Sequence, residues 1–487
     1  MIDSVPGTRR AFLGGLSSGL AGVALLDLLS RESEGRQPAW APGDGSPHHA
    51  PKAKSVIWLF MIGGASHLES FDPKPELNRY ADKAIKDTPY SGVLTDPLVK
   101  NVRIPVPNDA NGHIWPKILP LQSGFRKRGE SGIEVCDWWP HVGSRIDDIA
   151  VVRSMWTTDN NHGAQLQFHT GRHSLEGPYP SIGSWIHYGL GALSDDLPSF
   201  VVLGRPIADC CGGSGGHGAN YLGPEHDGVR LEIDAKNPLP FASPGPTVYR
   251  EEQAAGFSLL RELHGIAAGR EPKNPTLRAR IRSYELAYRM QTAVPDVVRF
   301  DAESPRIRAL YGLDHDVTRA FGSQCLAARR LVERGVRFVQ IFHGGDGGAG
   351  GWDAHNRLRD AHSKTIAQVD QPIGALLLDL KERGLLEETI VVWATEFGRT
   401  PGTQGELGRD HHPFGFTVWL AGGGIKGGIA HGKTDELGFH AVEHRHYVTD
   451  IHATVLHQLG LDSRRLEIPG HKRLEIDFGE PIREILA

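Results

Sequence analysis

Val336-Arg-Phe-Val-Gln-Ile-Phe342 runs into His343-Gly-Gly-Asp346-Gly-Gly-Ala-Gly-Gly-Trp352-Asp353-Ala354-His355-Asn356, and Thr389-Ile-Val-Val-Trp-Ala394 closes the unit. The first and last of these segments are short, β-branched and bounded by glycine or polar residues, as buried strands are. Between them, residues 361–383 place Ile366, Val369, Ile373, Leu376, Leu377 and Leu380 on one helical face. Strand, helix, strand in that order requires a parallel crossover, and therefore a sheet with helices on both faces. Working outward, Ser55–Ile62, Ala150–Arg153, Phe200–Leu203 and Phe416–Leu420 read as further buried strands. The expected fold class is α/β with a mainly parallel central sheet, whose reactive groups collect at the carboxyl ends of the strands. Residues 209–301, a glycine-rich loop followed by prolines and Arg-rich helical sequence, read as a loop-rich insertion into that core.

Composition removes several classes of function. Lys and Arg total 53 against 58 Asp and Glu, a formal charge of −5, so no global positive field exists to hold a nucleic-acid backbone. Four scattered cysteines are too few for a zinc finger or a disulfide scaffold. The 25 histidines point elsewhere: several stand in glycine-rich segments beside Asp or Glu, where imidazole and carboxylate can share a cation. At the other end of the argument from chemistry, Thr8-Arg9-Arg10-Ala11-Phe12-Leu13 and the Gly, Ala and Leu run behind it look like a twin-arginine export signal over residues 1–30. Residues 31–54 then read as a flexible linker, and 55–487 as the α/β domain. The apolar run of the signal is too short for a stable span, and no other segment reaches about 18 apolar residues. The mature protein is expected to be periplasmic or secreted, with no stable membrane span after signal removal.

Four polar clusters follow four of these strands. After Phe342, glycines let the backbone approach a ligand closely, and Asp353 and His355 offer oxygen and nitrogen donors suited to zinc or manganese. After Ala394, Glu396 lies at the strand end and Arg399 stands three residues later, positioned to grip an oxyanion. His411 and His412 follow. Neighbouring side chains on an extended backbone point to opposite faces, so one is expected to be a ligand and the other a bystander. The first strand leads to Gly63-Gly64-Ala65-Ser66-His67 and Phe71-Asp72. The fourth cluster is Thr157-Thr158-Asp159-Asn160-Asn161-His162-Gly163, closing at Thr170-Gly171-Arg172-His173.

Together with the Arg-Arg leader, Phe71-Asp72-Pro73-Lys74, Asn161-His162-Gly163, Trp352-Asp353-Ala354-His355, Thr395-Glu396-Phe397-Gly398-Arg399, Gly432-Lys433-Thr434-Asp435-Glu436 and the segment Thr449–Leu456, these motifs resemble a secreted bacterial family, domain of unknown function 1501. That family looks related to the alkaline phosphatase and sulfatase superfamily. The resemblance implies a three-layer α/β/α sandwich and one or two divalent metal ions, zinc or manganese with calcium as the alternative. It implies that Asp353, His355 and either His411 or His412 hold one metal, with Glu396 keeping one ligand of a second. The superfamily's first strand ends in a metal-binding aspartate, but this chain has Gly63-Gly64, so His67 or Asp72 would substitute. Counting back from Thr170-Gly171-Arg172 to the sulfatase nucleophile position reaches Asn161, an amide, which disfavours a formylglycine sulfatase. Thr158 or a metal-activated water is left as nucleophile, with Asn161 and His162 beside it in the catalytic group and Arg172 or Arg399 stabilising charge. The resulting expectation is a secreted metal-dependent hydrolase of phosphate or sulfate esters, its substrate an anionic ester such as a sulfated or phosphorylated glycan. The alternative is a non-catalytic secreted binding protein on the same fold.

Overall fold

The computed structural model describes residues 45–98, 115–234, 249–272, 274–345 and 350–487. The export segment 1–30, most of the linker and the loop centre 346–349 lie outside the described residues. Residues 43–467 and 471–487 form one contact unit. Of the other, 1–42 with Ile468–Gly470, only the turn at 468–470 is described.

Nine strands build the central sheet: β1 (Ser55–Met61), β2 (Ile149–Trp156), β3 (Phe200–Leu203), β4 (Val229–Arg230), β5 (Phe338–His343), β6 (Thr389–Ala394), β7 (Phe416–Ala421), β8 (Ile429–His431) and β9 (His446–Tyr447). Their order is β8-β2-β7-β6-β1-β5-β3-β4, with β9 also on β2. Only β7 runs antiparallel to its neighbours, which leaves β1, β2, β5 and β6 pointing the same way. All four polar clusters therefore emerge at one end of the sheet.

Every residue of β1 is buried, so each face of the strand needs its own cover. Ile57, Leu59 and Met61 pack into the core under α5 (Asp316–Glu333) and α6 (Leu358–Glu382). On the opposite face Trp58 lies against Phe168 of α1 (Ala164–Thr170) and His452 of α7 (Val448–Gln458), with ring centroids 5.6 and 6.1 Å apart, while α2 (Ile182–Leu190) covers β3 and β5. Two helical layers around a sheet make the α/β/α sandwich. The six apolar residues that the spacing places on one face of α6 are all buried in the core.

The insertion does more than loop. Its residues 209–226 form short turns, Val229 and Arg230 extend the sheet edge beside β3, and α3 (Arg250–Arg270) packs on α4 (Pro275–Val298) through the stacked rings of Phe257 and Tyr288. The described end of the linker is pinned as well. His48 N–H donates to the Gly460 carbonyl, and the Lys52 and Ala53 amides both donate to Gln458.

Candidate metal centre

Asp353 reaches the end of the sheet because the glycine-rich loop folds back on β1. Gly351 N–H donates to the Gly344 carbonyl and Trp352 N–H to the Ile62 carbonyl, while the Trp352 indole packs flat against Trp139. This brings the Asp353 backbone against Gly63, which sits at φ +121°; a Cβ there would lie 2.6 Å from the Asp353 amide nitrogen. Glycine is required on both counts. Asp353, arriving from β5, thus stands beside the Gly63-Gly64 turn that ends the first strand.

Three histidines converge on this carboxylate. His411 Nε2 and His355 Nε2 each lie 2.9 Å from Asp353 Oδ1, and His162 Nε2 lies 3.4 Å from Oδ2. In each ring the other nitrogen faces an oxygen: His411 Nδ1 donates to the Asn160 carbonyl at 3.0 Å, His162 Nδ1 to Glu396 Oε1 at 3.1 Å, and His355 Nδ1 to Gln404 Oε1. A neutral imidazole whose Nδ1 carries the proton presents a lone pair at Nε2. Imidazole Nε2 atoms gather around a carboxylate only where positive charge, a proton or a cation, lies among them. The second-sphere oxygens are those that metal-binding histidines ordinarily require. His162, Asp353 and His411 form one group with metal-ligand spacing, and His355, Asp410 and His411 another.

The proton equilibria express the same demand for positive charge. Burial would raise the Asp353 carboxyl, but hydrogen bonds from His162, His355 and His411 and the charge of Arg399 hold it far below the carboxylate range. Burial also works against charge on His162, yet Asp353 and Glu396 outweigh it and lift this imidazole to about 9. Burial wins at His411, which falls well below its ordinary value. One proton on His162 thus stands in for part of the charge a metal would bring. The cluster meets solvent on one side, through His355 and Asp353, whose side chains are 25% and 14% exposed.

Glu396, expected as a ligand, stands behind His162 and bonds its Nδ1. It is fully buried, accepts the Gly63 amide at 2.9 and 3.1 Å and the Thr395 hydroxyl, and turns His162 toward Asp353. Arg399 is also different from expectation. Its guanidinium is fully buried and donates to the carbonyls of Gly63, Gly64, Trp352 and Arg409 as well as to Asp353 Oδ1, so it anchors the site's backbone and is not free to clamp an oxyanion.

Other expected residues lie apart from Asp353. His67 Nε2 bonds to the Gly438 carbonyl, and Asp72 pairs with Lys74 at 3.0 Å and accepts the Thr434 hydroxyl. Neither belongs to the donor groups around Asp353. His412, on the opposite face of the extended backbone from His411, stacks on Phe439 and points away from Asp353. Arg172 is held by Glu176 and Asp477 and lines a separate pocket with Tyr179, Trp185 and Tyr221. The Thr158 hydroxyl accepts from Gln167, which also bonds Tyr447, and Asn161 turns its side chain back onto the His162 amide. Sequence reasoning did not find Gln404, Asp410 or the Asn160 carbonyl. Only the tight ribbon of Gly398–Arg399 against His411–His412 brings this segment over the site.

Residues 53–486 match the family described as "Protein of unknown function (DUF1501)". The chain belongs to this family. As a DUF1501 protein it shares the family assignment that its motifs suggest, on an α/β/α core. No curated protein matches the sequence. Among solved structures the DUF1501 chain is similar to a sulfatase from Pseudoalteromonas sp., at 14% identity over 96% of this chain and 75% of that one, with a TM-score of 0.37. It is also similar to a phosphonate monoester hydrolase from Silicibacter pomeroyi, at 12% identity over 72% and 71%, TM-score 0.34. A third is an alkaline phosphatase from the Antarctic bacterium TAB5, at 10% identity over 76% and 92%, TM-score 0.32. No helix among the described residues is long and apolar enough to cross a membrane.

Proposed function

We propose that this DUF1501 protein is an exported metal-dependent hydrolase of phosphate or sulfate esters. The observation that carries the reading is the convergence of three Nε2 atoms on Asp353, each with its Nδ1 hydrogen committed to an oxygen. Asp353, His162, His355 and His411 would hold a divalent ion, zinc or manganese by donor type. Such an ion supplies a water acidic enough to attack at neutral pH and a Lewis acid for the ester oxygen. Glu396, Gln404 and the Asn160 carbonyl keep the three rings oriented, and Arg399 fixes the carboxylate and the backbone that carries it. His355 is the most exposed of the rings, and buried Asp410, 3.8 Å from its Nδ1, puts a further carboxylate beside it at the open side. An anionic ester, including a sulfated or phosphorylated glycan, is the substrate class that the family resemblance brings to this centre.

Metal content of the purified protein, followed by turnover of aryl phosphates and aryl sulfates, tests the reading. Asp353→Ala should lose both metal and turnover. The second reading, binding without turnover, is favoured by the full commitment of Arg399 to backbone carbonyls. Saturable binding of an anionic ligand by metal-loaded protein that hydrolyses no ester would select it. Export follows from Arg9-Arg10: changing both to Lys should leave precursor in the cytoplasm, and normal secretion of that variant would exclude the route.

A further inference from the structure

A second group of imidazoles stands on the outer edge of β2. β8 and β9 both pair in parallel with β2, β8 along Ala150–Val152 and β9 along Met155–Trp156, so His431 and His446 are carried by strands in register with one rigid neighbour. Their Nε2 atoms face each other at 2.9 Å. His446 Nδ1 donates to Asp450 Oδ2 at 3.0 Å, the carboxylate–histidine arrangement that fixes a ring with its Nε2 lone pair outward. The rings of His444 and His446 each have centroids 5.1 Å from that of His431.

From this geometry we infer a second metal site, separate from the Asp353 centre, in which His431 and His446 bind a borderline transition ion such as Zn²⁺, Ni²⁺ or Cu²⁺, with water or exposed His444, whose ring lies 5.1 Å from that of His431, completing the coordination. Nitrogen ligands at about 2.0–2.1 Å from a tetrahedral ion stand about 3.3 Å apart, so the observed pair needs to open by only a few tenths of an ångström. Asp450 supplies the oriented second sphere, and the strand pairing with β2 supplies the preorganisation. The remaining positions face water, so the ion can exchange.

Chelator-stripped full-length protein titrated with Zn²⁺ alone tests this. His431→Ala and His446→Ala should each lose one bound equivalent that Asp353→Ala keeps, and Asp450→Asn should weaken that equivalent about 10- to 100-fold. Because an alanine at a strand position can disturb folding, His446→Gln provides the conservative check, with circular dichroism confirming the fold. Wild-type zinc stoichiometry and affinity in folded His431→Ala, His446→Gln and Asp450→Asn would overturn the site and leave a plain histidine–histidine hydrogen bond. If zinc binds only at the His446-dependent site, this inference stands and the hydrolase reading fails.

Discussion

Two fully buried arginines, ten residues apart on the same ribbon, each meet a carboxylate, and the difference between the two pairs separates fold from function. Arg409 donates to Glu69 Oε1 at 2.8 Å and to the carbonyls of Thr400, Pro401, Leu119 and Pro120. Glu69 takes its remaining bonds from the Ser66 hydroxyl and the Gln122 amide. That pair is closed: each charge has partners on every side, none of them a metal-ligating side chain. Arg399 and Asp353 form the open counterpart. The carboxylate there has one arginine behind it and three imidazoles in front, one of them at the solvent. A closed pair holds chain segments together; an open one retains unmet demand for a cation, which is what a binding site needs.

The largest expected effect falls on the closed pair. Glu69→Ala leaves the Arg409 charge buried without a carboxylate and should cost about 3–5 kcal/mol in urea unfolding. A loss below about 1 kcal/mol would show that the carbonyls alone suffice and that the two pairs differ less than their geometry indicates. Asp353→Ala should show the reverse pattern, with bound metal and turnover lost, turnover by a factor of about 10² or more, while the fold survives because Asp353, unlike Glu69, stands at the solvent side, where water can reach the charge left behind. Circular dichroism with elemental analysis reads both. A third variant sharpens the role of the outer oxygens: Glu396→Gln should retain the metal with affinity about 10- to 100-fold weaker, since it weakens the hydrogen bond that orients His162 together with the contacts to Gly63 and Thr395.

Acid provides a fourth test. Burial would raise the Glu69 carboxyl, but the charge and hydrogen bonds of Arg409 and the Ser66 hydroxyl hold it below its ordinary value. A carboxylate depressed in the folded state contributes stability at pH values above its unfolded pKa of about 4.3, and loses it as pH falls through the lower folded value. The wild type should therefore lose stability steeply below about pH 4, and Glu69→Gln should flatten that slope while lowering the plateau at neutral pH. The smallest effect belongs to Thr158→Ala, which removes one acceptor of Gln167: stability should drop by about 0.5–1.5 kcal/mol and turnover should stay within about threefold. A collapse of turnover there would return Thr158 to the role of nucleophile.

Much of the fold was legible because burial on both faces leaves a continuous apolar signature. Ser55–Met61, Phe338–His343 and Thr389–Ala394 stand within one or two residues of their expected bounds, and α6 buries the face its spacing marks. Asp353, His355 and His411 were also visible, since they follow strand ends in glycine-rich sequence. The Glu69–Arg409 pair was not, because its partners are 340 positions apart, although Ser66 three residues before Glu69 was a local hint of a bonded carboxylate.

Periodicity, glycine content and histidine count determined the layered α/β class and the residue types at the candidate centre, because those features depend on each residue's own chemistry and near neighbours. Only the tertiary structure decided which members of the candidate list meet. Arg399, expected as an anion clamp, has its donors taken by the carbonyls of Gly63, Gly64, Trp352 and Arg409, and His162 stands between Glu396 and Asp353. A side chain's role is set by the partners left to it once the backbone has closed, and those partners arrive from strands that the linear chain keeps hundreds of residues apart.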